Sequence, residues 1–116
     1  MFDVPEISVQ ELAAKRANGD KFVLMDVREA NELTYANLGE RVSHVPLSDI
    51  AERRLEALPE SVRADKDGEI VVLCHHGNRS AQVVGWLRQQ GWTKVLNMAG
   101  GIEAYARQVD ASVGRY

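Results

Sequence analysis

Apolar positions along the chain follow two alternating patterns. One is a short unbroken run: FVLMDV at 22–27, EIVVLC at 69–74 and KVLNM at 94–98. Each has strand length and lacks polar alternation, so each predicts a strand buried on both faces. VSHVPL at 42–47 is a weaker strand, ended by Pro46. The other pattern is helical. Val9, Leu12, Ala13 and Arg16 share one face, Arg16 through its alkyl stem. Ser8 with Glu11 forms a capping box at the start of that helix, and Asn18-Gly19 stops it. Ser80, Val83, Val84 and Leu87 fall at i, i+3, i+4 and i+7, and Gly91 closes this second helix. After Gly100-Gly101, a last helix carries Ile102, Tyr105, Ala106 and Val109 on one face. Between the strands, Ser48 is expected to cap a helix with Ala51, Leu55 and Leu58, broken by Pro59. EANELTYANL at 29–38 is expected to form a short helix, and Asp67-Gly68 marks a turn.

Buried strands alternating with amphipathic helices specify an α/β domain with a mainly parallel sheet and helices on both sides. Ligands in such sheets bind beyond the C-terminal strand ends. Three polar or glycine-bearing loops follow the strong strands: Asp26-Val27-Arg28-Glu29, Cys74 to Arg79, and Ala99-Gly100-Gly101. The functional edge is therefore expected there.

Composition narrows the class. With 116 residues and 45% hydrophobic residues, the chain suits one domain, 1–116, with a real core. Charged residues are mixed in sign and sum to -3, which argues against a nucleic-acid partner. No apolar run approaches the roughly 20 residues that span a bilayer. The N-terminal stretch MFDVPEISVQEL lacks the basic and apolar regions of a secretion signal. The chain has a single cysteine, so no internal disulfide forms, and a reducing compartment, the cytoplasm, is expected. One cysteine and three histidines also make a poor zinc ligand set.

That cysteine, Cys74, ends a buried strand and opens the loop CHHGNRS before a helix. A lone cysteine at a strand end is often just a small buried residue. The context points to chemistry instead. Helix-start N–H groups lack intrahelical partners and carry partial positive charge. Gly77 lets the backbone curl so that such groups converge. Such surroundings favour the thiolate, the nucleophilic form. Arg79 adds a cation with a planar fork of donors suited to an oxyanion. His75 and His76 are candidate donors or general acid–base groups, or plain exposed loop residues. Asn78 and Ser80 are loop and cap candidates beside them. Trp86 and Trp92 read as packing residues.

CHHGNRS resembles the active-site loop of single-domain rhodaneses, the thiosulfate sulfurtransferase family. The resemblance covers nearly the whole chain: Ile7-Ser8, Asp26-Val27-Arg28-Glu29, His44-Val45-Pro46-Leu47, the cysteine loop and Asn97-Met98-Ala99-Gly100-Gly101-Ile102 stand in the family's order. It implies a rhodanese-like fold with a central, mainly parallel sheet of about five strands and helices on both faces. It implies that Cys74 takes the outer sulfur of a donor such as thiosulfate and becomes a persulfide. A thiophilic acceptor then removes that sulfur: cyanide in an assay, a thiol or protein in the cell. His75, His76, Gly77, Asn78, Arg79 and Ser80 would bind substrate, with no metal or organic cofactor. Asp26 and Arg28 resemble the family's supporting pair, and Arg28 is a second candidate anion contact. Two positions depart from the family: Leu38 to Ser43 replaces a more usual glycine-histidine segment, and Tyr105 stands where tryptophan is common.

Three rival functions share these features. Cysteine phosphatases and arsenate reductases of the Cdc25 type also place a thiolate and an arginine at a helix start. Their loop has one more residue between the two than the four here, His75 to Asn78, and so makes a larger cradle. A non-catalytic rhodanese module would tend to lack the cysteine. A redox sensor would need a resolving thiol, and this chain has no second cysteine. The tail, Asp110 to Tyr116, is expected either to pack on the domain or to serve as a partner handle.

Overall fold

In the computed structural model, residues 4–116 are described; residues 1–3, the start of the stretch read above for a secretion signal, lie outside them. Strands β1 (Glu6–Ile7), β2 (Val23–Asp26), β3 (Ser43–His44), β4 (Ile70–Leu73) and β5 (Val95–Met98) form one sheet in the order β1-β5-β4-β2-β3. All four pairings are parallel. The expected α/β class is thus observed, with every strand running the same way. Asp26, His44, Leu73 and Met98 all end at one edge, with β4 in the middle.

Helices α1 (Val9–Asn18) and α5 (Gly101–Gln108) cover one face, packing Val9, Leu12, Ile102 and Tyr105 on Leu24, Val71, Leu73 and Met98. Helices α2 (Leu47–Arg53), α3 (Glu60–Arg63) and α4 (Asn78–Gln89) cover the other, where Ile50, Val62, Val83, Val84 and Leu87 meet Met25, Ile70 and Val72. Strand β4 is buried at every position, as its unbroken apolar run requires. Cys74 continues its alternation towards the α4 side. Tyr105 is a core residue under α5, and Trp92 is buried with its indole N–H on the Val62 carbonyl at 3.0 Å.

Helix ends follow local chemistry. The Ser8–Glu11 capping box forms, and Gly19 closes α1 in the left-handed region at φ 70°. Other expectations are revised. β1 was not anticipated, because two residues after Pro5 carry no periodic signal; its pairing with β5 creates it. Residues 29–38 hold only a 3-10 turn, Ala30–Thr34, because their polar groups turn inward to the neighbouring loops instead of forming a helix face. Ser48 is not a cap: α2 starts at Leu47 behind Pro46, and the Ser48 hydroxyl donates to Glu29 at 2.5 Å. The helix expected through Leu58 breaks after Arg53, where Arg54 takes φ 56°, and Pro59 opens α3. Val109 lies past the end of α5 and is exposed.

At the β2 end, Asp26 and Arg28 form a buried ion pair, with Arg28 showing 0% exposure. Arg28 donates to Asp26 from Nε at 3.0 Å and from Nη2 at 2.7 Å, and to the Ala36 carbonyl at 2.9 Å. Its remaining Nη1 reaches the Tyr116 hydroxyl at 3.1 Å. One guanidinium thus fastens β2, the 3-10 segment and the tail together. Arg28→Ala would leave Asp26 buried without its partner, a loss of about 3–5 kcal/mol; urea unfolding monitored by tryptophan fluorescence should show the midpoint fall accordingly.

Candidate functional site

Backbone geometry builds the site before any side chain does. At the end of β4 the carbonyls of Cys74 and His75 accept from the first N–H groups of α5, Ile102 at 2.9 Å and Glu103 at 3.1 Å. With these carbonyls committed outward, the following N–H groups turn inward. Gly77, at φ 105°, makes that curl. Its N–H lies 3.1 Å from Cys74 Sγ, and the Ser80 N–H lies 3.4 Å away. A Cβ at Gly101 (φ 66°) would collide with both clamped carbonyls, which explains glycine there.

Cys74 is 1% exposed. Its sulfur sits at the N-terminus of α4 with a third neighbour, the Ser80 hydroxyl at 3.2 Å. Ser80 in turn donates to Asn97 Oδ1 at 2.6 Å, while Asn97 Nδ2 donates to the Gly77 carbonyl at 3.1 Å. That carbonyl can only accept, so the Asn97 amide orientation is fixed and its oxygen faces Ser80. The single Ser80 proton therefore points to Asn97, leaving Oγ free to accept the Cys74 S–H. These contacts can hold a thiol and, after rotation of the hydroxyl, share the negative charge of a thiolate or persulfide.

Arg79 reaches the site from the first turn of α4, but its fork is occupied. Nη1 and Nη2 donate to the two carboxylate oxygens of Glu32 at 2.6 and 2.8 Å. Glu32 also accepts from the Glu29 N–H at 2.9 Å and the Tyr116 hydroxyl at 2.8 Å. Arg79 and these hydrogen bonds hold the Glu32 carboxyl well below the usual range, at about 2. The tail packs over the loop: the Tyr116 ring stacks on His75 with centroids 3.7 Å apart, and His75 stacks on His76 at 3.9 Å. Arg115 anchors it through Glu103 at 2.8 Å. Burial, followed by the neighbouring His76, lowers the His75 pKa, which keeps that ring neutral at pH 7.

Of the residues singled out from sequence, Cys74, His75, Gly77, Arg79 and Ser80 converge on one loop, while His76 and Asn78 sit on its exposed rim. Arg28 lies inside the fold on Asp26 and has no surface towards the loop mouth. Sequence reasoning overlooked Glu32, Asn97 and Tyr116 as site residues. Asn97 had a readable signal: an amide inside a buried strand must find partners. Glu32 had none, being one acid among several in a polar stretch. Among the described residues, no three His, Cys, Asp or Glu side chains gather as a metal site would need.

The structure thus places a strand-end thiol, faced by two backbone N–H groups, at the edge of a parallel α/β sheet. Residues 8–108 match the rhodanese-like domain, and the chain belongs to that family. It is 34% identical over 104 residues to a sulfurtransferase of Allochromatium vinosum, covering 90% of each protein. It is 38% identical over 117 residues to an Arabidopsis thaliana rhodanese-like/PpiC domain-containing protein described as chloroplastic, covering 97% of this chain but spanning only 38% of that protein's length. The human single-domain sulfurtransferase TSTD1 superposes with a TM-score of 0.73 at 26% identity, covering 91% of this chain and 98% of that one.

Two outcomes test this geometry. Asn97→Ala removes partners from both the Gly77 carbonyl and Ser80 and should cost about 1–3 kcal/mol; urea unfolding measures the loss, and iodoacetamide alkylation of Cys74 should change rate in the folded variant. Because the folded pKa of Glu32 lies below its ordinary 4.5, its pairing with Arg79 contributes fully above pH 4.5 and fades as pH falls towards 2. Stability measured across that window should drop less steeply in Glu32→Gln than in the unaltered chain.

Proposed function

We propose that this chain is a sulfurtransferase that carries sulfane sulfur on Cys74 as a persulfide, between a donor such as thiosulfate and a thiophilic acceptor. The supporting observation is the Cys74 sulfur facing the Gly77 and Ser80 N–H groups, 3.1 and 3.4 Å away, in a loop with four residues between Cys74 and Arg79. Attack of Sγ on the donor's outer sulfur breaks the donor S–S bond, and sulfite leaves from thiosulfate with the bonding pair. The persulfide keeps one negative charge, which the loop N–H groups stabilise as an oxyanion hole stabilises oxygen. A thiol or cyanide then attacks the outer sulfur and restores Cys74.

The loop size supports this over phosphatase or arsenate-reductase chemistry. A tetrahedral phosphoryl group needs a wider ring of N–H donors and a free arginine, whereas here Arg79 is taken by Glu32. A pure binding role is disfavoured by the ordered surroundings of the thiol, since a residue outside chemistry has no need of three polar neighbours. His76 and Asn78, on the rim, are suited to meet the donor or acceptor. A reducing compartment fits the chemistry, and the cytoplasm or an organelle stroma meets that need. Among the described residues, no helix is long and apolar enough to cross a membrane.

Intact mass decides the reading. The purified chain should gain the mass of one sulfur after incubation with a sulfane-sulfur donor, and cyanide should remove it. Cys74→Ser should keep its fold and gain nothing. Turnover retained in Cys74→Ser would overturn the mechanism.

A further inference from the structure

Arg79 is the only arginine or lysine in the loop from Cys74 to Ser80, and its charge is already balanced inside the chain. Glu32 meets it with two hydrogen bonds, one from each terminal nitrogen. Each Glu32 oxygen has a second donor as well, Tyr116 Oη on one and the Glu29 N–H on the other. A carboxylate with four donors is not readily displaced, because each exchange breaks a charge-assisted contact. Of the other cations, Arg28 is paired with Asp26, and Arg115 shares Glu103 with Arg107. The stacked His75 ring adds no charge at pH 7. The one cation of the Cys74 loop is therefore neutralised by a fixed carboxylate, so the loop does not present the cationic bowl that a dianion would seek.

We infer that Glu32 is a specificity-determining residue: by occupying Arg79 it turns the site away from the dianion thiosulfate and towards donors of low charge, a thiol persulfide above all. This rests on the sulfur-transfer reading and names its donor class. With thiosulfate, Cys74–S⁻ and S–SO3²⁻ give Cys74–S–S⁻ and SO3²⁻, so three negative charges share the site throughout. With a persulfide, Cys74–S⁻ and R–S–SH give Cys74–S–SH and R–S⁻. Sγ takes the terminal sulfur, the S–S bond of the donor breaks, and its bonding pair leaves on R–S⁻. One negative charge is present on each side. Like charge beside Glu32 penalises the first reaction far more than the second.

The test loads the purified chain and Glu32→Gln with thiosulfate or with 2-mercaptoethanol persulfide, following sulfur gain on Cys74 by quenched intact mass. The two donors differ in leaving group, so the deciding quantity is how their rate ratio changes between the proteins. Glu32→Gln keeps the shape and frees the Arg79 charge, and should raise the thiosulfate-to-persulfide ratio by about tenfold or more. A ratio unmoved in the folded variant would overturn the inference while leaving sulfur transfer intact. Ionic strength gives a second measure that needs no variant. Loading of the unaltered chain by thiosulfate should be nearly flat between about 20 and 300 mM salt, where a screened cationic site would lose rate steeply. A steep loss would overturn the inference even if Glu32→Gln did not fold. If neither donor loads the unaltered chain, sulfur transfer itself fails and the donor preference falls with it.

Discussion

Two backbone hydrogen bonds decide what Cys74 can do. When the Ile102 and Glu103 N–H groups take the carbonyls of Cys74 and His75, the peptide planes after β4 lose their freedom. The N–H groups of Gly77 and Ser80 are then left pointing at the sulfur, with no competing acceptor from their own loop. The clamp exists because α5 begins immediately after β5, the neighbour of β4, and because Gly101 has no side chain to hold the strands' loops apart. Sheet order, the Gly100-Gly101 pair and the Cys74 loop are thus one arrangement. Any change that shifts α5 along its axis would reorient the sulfur's donors without touching the cysteine.

Side chains then lock that arrangement from the opposite side. Asn97 sits in β5, in register with Val72 of β4. It spends its nitrogen on the Gly77 carbonyl and its oxygen on Ser80. The loop is therefore held through both its carbonyls and its hydroxyl by strands and helices, not by its own residues. Donors fixed in this way are already oriented before any charge develops on the sulfur they face.

The sequence carried most of the frame and only part of the site. Unbroken apolar runs at 22–27, 69–74 and 94–98 marked β2, β4 and β5 because strands buried on both faces have no polar alternation to confuse them. β1 could not be read, because two residues contain no period and the strand exists through its neighbour β5. The 29–38 stretch misled for a related reason. Glu32 and the Ala36 carbonyl are drawn inward by Arg79 and Arg28, and tertiary contacts override weak propensity. Cys74, Gly77 and Arg79 were legible since they lie within six residues of one another. Glu32 was not, being brought to Arg79 across 47 positions.

That long-range pairing changes how the loop's charge is understood. From the loop alone, Arg79 is a free cation waiting for an anion. In the fold it is half of a pair, and Tyr116 is joined to the same network by its hydroxyl and by stacking on His75. Arg28 and Arg79 then differ only in degree: both are neutralised by a carboxylate, one wholly buried and one at the rim. Burial leaves Arg28 no exchange partner, so it is structural. Arg79 is partly exposed, at 33% for its side chain. Even so, both of its terminal nitrogens are held by the Glu32 carboxylate. The direction of its guanidinium is therefore set by Glu32. The acid residue both orients the arginine and limits how much negative charge it can accept.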